Sequence, residues 1–241
     1  MSAVTDSIAF DSVPRGNIRD AVMRSLLKAV VAGQFPSGQR MVVQRLTDQF
    51  GISATPVREA LAELASLGIV ENTPNRGAVM REFGLRQIRE IYQLRRLLEV
   101  EAVQSACGRI DRAALVELQR EFSVLSEMPC DEVWSKRTIA GDLQLHALIA
   151  ENCDSIRLQD ELARYNTLVQ VIREVVDNER HAQEIALAEH LEIIDALLRN
   201  DADAAGDAMA RHIGSTADVV LDTMFPAAEH ESKNHTNRKD A

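Results

Sequence analysis

The chain has 241 residues, 46% of them hydrophobic and 27% charged, with long stretches free of proline and glycine; this fits a soluble, mainly α-helical protein with room for two cores. No run of about 18 apolar residues occurs and no basic start leads into an apolar stretch, so neither a membrane span nor a secretory signal is expected. A net charge of −10 argues against indiscriminate polyanion binding by the whole chain, and three scattered cysteines, Cys107, Cys130 and Cys153, argue against a disulfide framework and for reduced thiols in a cytoplasm.

The charge is unevenly spread. Residues 1–80 carry 8 Lys and Arg against 7 Asp and Glu; residues 81–241 carry 19 against 30. The first part can still bind DNA if its arginines share a face. Residues 1–16 lack periodicity and read as a flexible arm. Asn17 can cap a first helix to about Ala32, with Ile18, Val22, Leu26, Ala29 and Val30 inward and Gly33 as its stop. A turn follows at 34–38, then a weakly capped helix at Val43–Phe50 with Leu46 and Phe50 facing the core.

The stretch Gly51 to Gly68, GISATPVREALAELASLG, reads as the second half of a helix-turn-helix spanning about 43–67. Gly51 permits the sharp turn, Ser53 is an N-cap, and Pro56 falls in the first turn, where its missing N–H removes no bond. Val57, Ala60, Leu61, Leu64 and Ala65 share one face; Thr55, Arg58, Ala62 and Ser66 share the other. A short polar helix start with one arginine suits entry into the DNA major groove. Two extended pieces, 69–71 and 78–80, flank Asn72-Thr73-Pro74-Asn75-Arg76-Gly77 and predict a hairpin, the wing of a winged helix-turn-helix.

FPSGQRM, then RLTDQFGISATPVREALAELASLGIVENTPNRGAVM, resembles the DNA-binding domain of the GntR superfamily of transcription regulators over residues 17–80. The resemblance implies DNA contacts from Ser53, Thr55 and Arg58 on the recognition helix, and from Arg76 and Gly77 in the wing. Ala54 departs from the family, in which an arginine that reads a base is frequent there. Val43-Gln44 replace a frequent polar start to the preceding helix.

Residues 81–84 read as a linker. Beyond it the spacing predicts six helices, about 85–108, 111–126, 131–152, 155–177, 180–199 and 201–224, with Asp111, Asp131, Ser155 and Asp201 as caps. Residues 226–241 are polar and read as a disordered tail.

Asp142 and His146 are four apart and share a helix face; His190 and His212 lie on two later helices among apolar neighbours. Antiparallel packing can bring all four to one point inside a bundle. One carboxylate and three imidazoles suit a divalent transition metal: Zn, Ni, Fe or Mn. Each histidine taken alone reads better as a satisfied core or surface residue than as a ligand. GDLQLHALIAENC, AEHLEIIDALL and GDAMARHI resemble the all-helical FCD ligand domain of one GntR branch, over residues 85–225. That resemblance implies a metal at Asp142, His146, His190 and His212, and six helices imply the VanR-type subgroup. It also implies that Arg95, in IYQLRRLLEVEAV, points into an effector cavity, where a guanidinium suits a carboxylate; an ion pair with Glu99 is equally compatible with the spacing. His181, His230 and His235 read as exposed.

The expectation is a cytoplasmic homodimer that binds a palindromic operator, acts as a repressor and responds to a small organic or sugar acid at the metal. A metal-dependent enzyme, or a constitutive DNA-binding protein with a structural metal, is the alternative.

Overall fold

Helical periodicity and capping, not strand pairing, organise this chain. A computed structural model describes residues 18–74, 76–176 and 180–226. The expected arm, the Asn17 cap, Asn75, the break at Asp177 and Asn178, and His230 and His235 lie outside those residues, as does the tail from 227 onward. The described residues form nine helices and one two-stranded sheet, a mainly α fold. They group into two compact units, residues 18–87 with 167–175, and residues 88–166 with 176–226.

In the first unit, α1 (Ile18–Val31) buries Val22, Met23, Leu26, Leu27, Ala29, Val30 and Val31. Ile18, expected inward, is exposed; the buried stripe begins one turn later, at Val22. Gly33 ends the helix at φ +70°, where its N–H donates to Val30 O. α2 (Val43–Phe50) starts at Val42 with no side-chain cap, as its sequence implies. It buries Leu46 but leaves Phe50 only half-buried. Gly51 then turns the chain at φ +65°, a left-handed conformation that favours glycine, and α3 (Ala54–Ser66) follows. Val57, Ala60, Leu61 and Leu64 are buried, Ala65 is half-buried, and Thr55, Arg58, Ala62 and Ser66 are exposed, so the two faces divide as expected.

The wing pairs β1 (Val70–Thr73) with β2 (Gly77–Met80), in antiparallel register from Val70 opposite Met80 to Thr73 opposite Gly77. A third segment, not expected, joins it. Gly38 N–H donates to Met80 O, Met80 N–H to Gln39 O and Met41 N–H to Ala78 O, with Arg40 bridging Val79. The first unit also takes in the C-terminal part of α7 (Ile156–Val175). Arg24 on α1 donates to Gln170 at 3.2 Å and pairs with Glu174, and Lys28 reaches the same carboxylate at 3.1 Å.

The second unit contains α4 (Leu85–Ala106) from residue 88, α5 (Arg112–Glu127), α6 (Glu132–Asn152), the first half of α7, α8 (Arg180–Leu198) and α9 (Ala202–Met224). All four expected caps form. Asp111 accepts from Ala113 N–H, Asp131 from Trp134 N–H, Ser155 from Leu158 N–H and Asp201 from Ala204 N–H. Phe122, Leu125, Trp134, Leu145, Ile149, Ile193, Ile194 and Met209 build the core. The Trp134 indole donates to Leu125 O at 2.8 Å, which satisfies its one polar atom inside that core. Gly141 has no room for a side chain: a Cβ there would lie 2.2 Å from the Phe122 ring.

Candidate functional site

The head presents its candidate DNA contacts on one helix and one turn. Ser53 occupies the N-cap position of α3, but its hydroxyl makes no capping bond. Ser53, Thr55, Arg58, Arg76 and Gly77 are all exposed. Among the described residues Arg58 forms no ion pair, so an intrahelical bridge to Glu59 or Glu63 does not occupy it. Arg76 sits in the wing turn, its N–H donating to Thr73 O at 3.1 Å, and Gly77 follows at φ +73°.

The helical unit brings Asp142, His146, His190 and His212 together, all four buried, with one ligand atom from each within 4.8 Å of the others. α6 supplies the carboxylate and the first imidazole one turn apart; α8 and α9 supply the other two. His190 Nε2 lies 3.2 Å from Asp142 Oδ1 and 3.1 Å from His212 Nε2, and His146 Nε2 lies 3.7 Å from Asp142 Oδ1. Ligands about 2.1 Å from one metal lie about 3–3.5 Å apart, so these spacings are those of a coordination shell with one imidazole slightly withdrawn.

The outer hydrogen bonds set which ring atoms face inward. His146 Nδ1 lies 2.7 Å from Glu99 Oε2, and His212 Nδ1 lies 3.0 Å from Glu189 Oε2. A carboxylate accepts, so each Nδ1 donates and each Nε2 turns a lone pair inward. Asp142 adds a third acceptor. His190 can protonate one nitrogen toward one of them, and His146 Nε2 is left buried with no hydrogen-bond partner. A buried acceptor such as His146 Nε2, facing other acceptors with no donor of its own, is costly. A divalent cation satisfies all of them, so the donor set fits the metal expected at these four residues.

The electrostatics point the same way. Burial pushes the Glu99 carboxyl up, but the charges and hydrogen bonds of His146 and Arg95 outweigh it and lower it to about 2; the His146 charge acts only while that ring is protonated, and a neutral, ligating His146 leaves its hydrogen bond and the Arg95 cation to hold the carboxylate. Burial, followed by the neighbouring His190 and His146, holds His212 well below the ordinary histidine range, in the neutral form a ligand needs. Burial raises Glu189, against the hydrogen bond from Ser215 at 2.5 Å.

Arg95 is 2% exposed. Its Nε donates to Glu99 Oε1 at 2.9 Å, so the ion pair that its spacing permits does form. Its Nη1 has no hydrogen-bond partner, so that pair does not use up the guanidinium. His181 is exposed, as expected. Glu99, read in the sequence only as an ion-pair partner for Arg95, and Glu189, not singled out there, orient two of the rings. Their only signal is a carboxylate one turn after Arg95 and another directly before His190.

A winged helix-turn-helix joined to a helical bundle is the build of a DNA-binding regulator with a second, all-helical domain. Residues 18–80 match the bacterial regulatory proteins of the gntR family, and residues 90–215 match the FCD domain. The chain belongs to the GntR family, in its FCD-bearing branch. It is 27% identical to RmpR, an HTH-type transcriptional regulator of Mycobacterium gastri, over 93% of this chain and 88% of that protein. It is 22% identical to the HTH-type transcriptional repressor RspR of Escherichia coli, over 86% and 90%. The solved structure of Escherichia coli McbR/YncC superposes with a TM-score of 0.61 at 21% identity, over 84% of this chain and 96% of that one, a likeness of fold. The protein is therefore a DNA-binding transcription regulator and not an enzyme. No helix among the described residues is long and apolar enough to cross a membrane.

Proposed function

We propose that this regulator is a repressor that binds a palindromic operator as a homodimer through residues 17–80 and answers to a small organic or sugar acid bound in residues 85–225. Six helices in the second part favour the VanR-type subgroup. Ser53, Thr55 and Arg58 read the major groove, and Arg76 and Gly77 reach the minor groove. Asp142, His146, His190 and His212 hold one divalent transition metal, Zn, Ni, Fe or Mn. The metal supplies a Lewis-acidic position for the effector carboxylate. Arg95 offers its free Nη1 as a second contact to the same anion.

The observation that carries this reading is the convergence of four buried ligand atoms within 4.8 Å, two of the rings oriented by carboxylates behind them. The repressor assignment takes support from the printed role of RspR. Elemental analysis of protein purified without chelator should find one metal per chain. Titrating candidate acids should then change operator affinity in metal-loaded protein and not in stripped protein. Metal without any effect of any acid favours a structural metal in a constitutive DNA binder. Absence of metal, with added Zn, Ni or Mn neither binding nor shifting the melt, sinks the site.

A further inference from the structure

Arg40 has no part in the reading above, yet its position is unusual for a surface arginine. It lies on the segment that pairs with β2, opposite Val79, in backbone held on both sides by hydrogen bonds of 2.8 Å: Met80 N–H to Gln39 O and Met41 N–H to Ala78 O. Its side chain runs to the wing turn, where Nε donates to the Arg76 carbonyl at 2.9 Å. One nitrogen of the fork is thereby fixed on the turn that carries a second arginine. Both side chains are exposed, and among the described residues no carboxylate pairs with either.

The turn thus carries two arginines, one rooted in it and one anchored on its backbone through Nε. A wing that needed only a brace for its turn could use a neutral donor at residue 40. An arginine keeps the brace and leaves its two terminal amino groups free, in the fork that suits a phosphate. We propose that Arg40 is a DNA-backbone contact: it fixes the wing turn through Nε and, with Arg76, presents a double cation to phosphates beside the minor groove. This inference rests on the reading of α3 and the wing as the DNA-contacting surface. It adds a positioning and charge-neutralising residue that lies outside both the recognition helix and the wing turn.

The salt dependence of binding separates a phosphate contact from a brace. Each neutralised phosphate contributes about −0.9 to the slope of log affinity against log salt. The measurement uses the full chain and two duplexes, one recovered from a random-sequence library by the wild-type protein and one of unrelated sequence. The key variant is Arg40→Gln, which keeps a neutral donor for the Arg76 carbonyl and removes the charge. Arg40→Lys keeps the charge. Arg40→Gln should weaken binding to both duplexes by similar factors, on the order of five- to tenfold, and flatten the slope by about 0.9 for each wing that touches DNA. Arg40→Lys should keep the wild-type slope. An Arg40→Gln protein with wild-type melting and an unchanged slope overturns the proposal, whatever its affinity. A loss confined to the selected duplex also overturns it, because a backbone contact carries no sequence preference. Arg58→Ala is the reference. If it binds the selected duplex as wild type does, the reading of α3 has failed. If it loses that duplex while Arg40→Gln keeps its slope, only the inference about Arg40 has failed.

Discussion

Arg58 stands on the exposed face of α3 with neither Glu59 nor Glu63 holding its guanidinium. A base contact from such a position is worth about 1–3 kcal/mol per head. Arg58→Ala should therefore lower operator affinity at least tenfold with an unchanged melting curve; equal affinity in a mobility-shift assay removes Arg58 from the interface. Ala54, one turn earlier on α3, carries no donor for a guanine. Ala54→Arg should shift the sequences recovered from a random library more than it shifts stability. Gly141 is a residue-scale constraint on the other unit. A methyl there would press on Phe122, whose ring lies 5.5 Å from that of His190. Gly141→Ala should cost about 1–3 kcal/mol through overpacking. It should also weaken metal binding by moving His190, a change that calorimetric titration reads directly. Wild-type melting and wild-type metal affinity in this variant would mean the Phe122 ring yields freely.

At the scale of elements, most of the architecture could be read from local chemistry. Asp111, Asp131, Ser155 and Asp201 cap the helices their sequence positions announce, because capping involves only the next three residues. The two faces of α3 follow from its period. What escaped the sequence depends on distant partners. The segment at 38–41 alternates weakly and becomes part of the wing only because β2 lies some 40 residues on. Ile18 obeys the helical period yet is exposed, because a period does not say where a packed stripe begins. Glu99 lies 47 residues from His146, and Glu189 lies 23 from His212, so neither pairing leaves a local pattern. Arg95 was legible as an ion pair with Glu99, and its unsatisfied Nη1 was not. The four-residue cluster draws on α6, α8 and α9, so the proposed metal would tie three helices together. At a hundredfold excess over its dissociation constant, a ligand of the folded state adds about 2.7 kcal/mol. Chelation should lower the melting temperature by roughly 5–10 °C, and returning the metal should restore it. His146→Ala should melt near the chelated wild type and show little further response to chelator. A large chelator effect in that variant would place the metal elsewhere.

Across the whole molecule, charge is partitioned between the DNA-binding head and the FCD domain. The near-neutral stretch 1–80 carries the exposed Arg40, Arg58 and Arg76, and the following 161 residues carry 30 acidic against 19 basic side chains. That acidic excess disfavours polyanion contact by the later residues and leaves DNA binding to the head. One head reads only a few base pairs, so selectivity over a genome requires two half-sites and two heads. The regulator should therefore be a two-fold dimer. Leu94 and Leu97 on α4 are 46% and 64% exposed, apolar surface that a second copy of the chain can cover. Sedimentation should give a dimer at micromolar concentration. Leu97→Glu should shift it toward monomer while leaving the helical content and the metal stoichiometry as in the wild type. Operator affinity should fall with the dimer, since each head then binds alone and loses the effective concentration its partner provides. A wild-type monomer at micromolar concentration that still binds one half-site tightly would contradict the dimer. A Leu97→Glu protein that remains fully dimeric would leave the dimer intact and move its interface away from this face of α4.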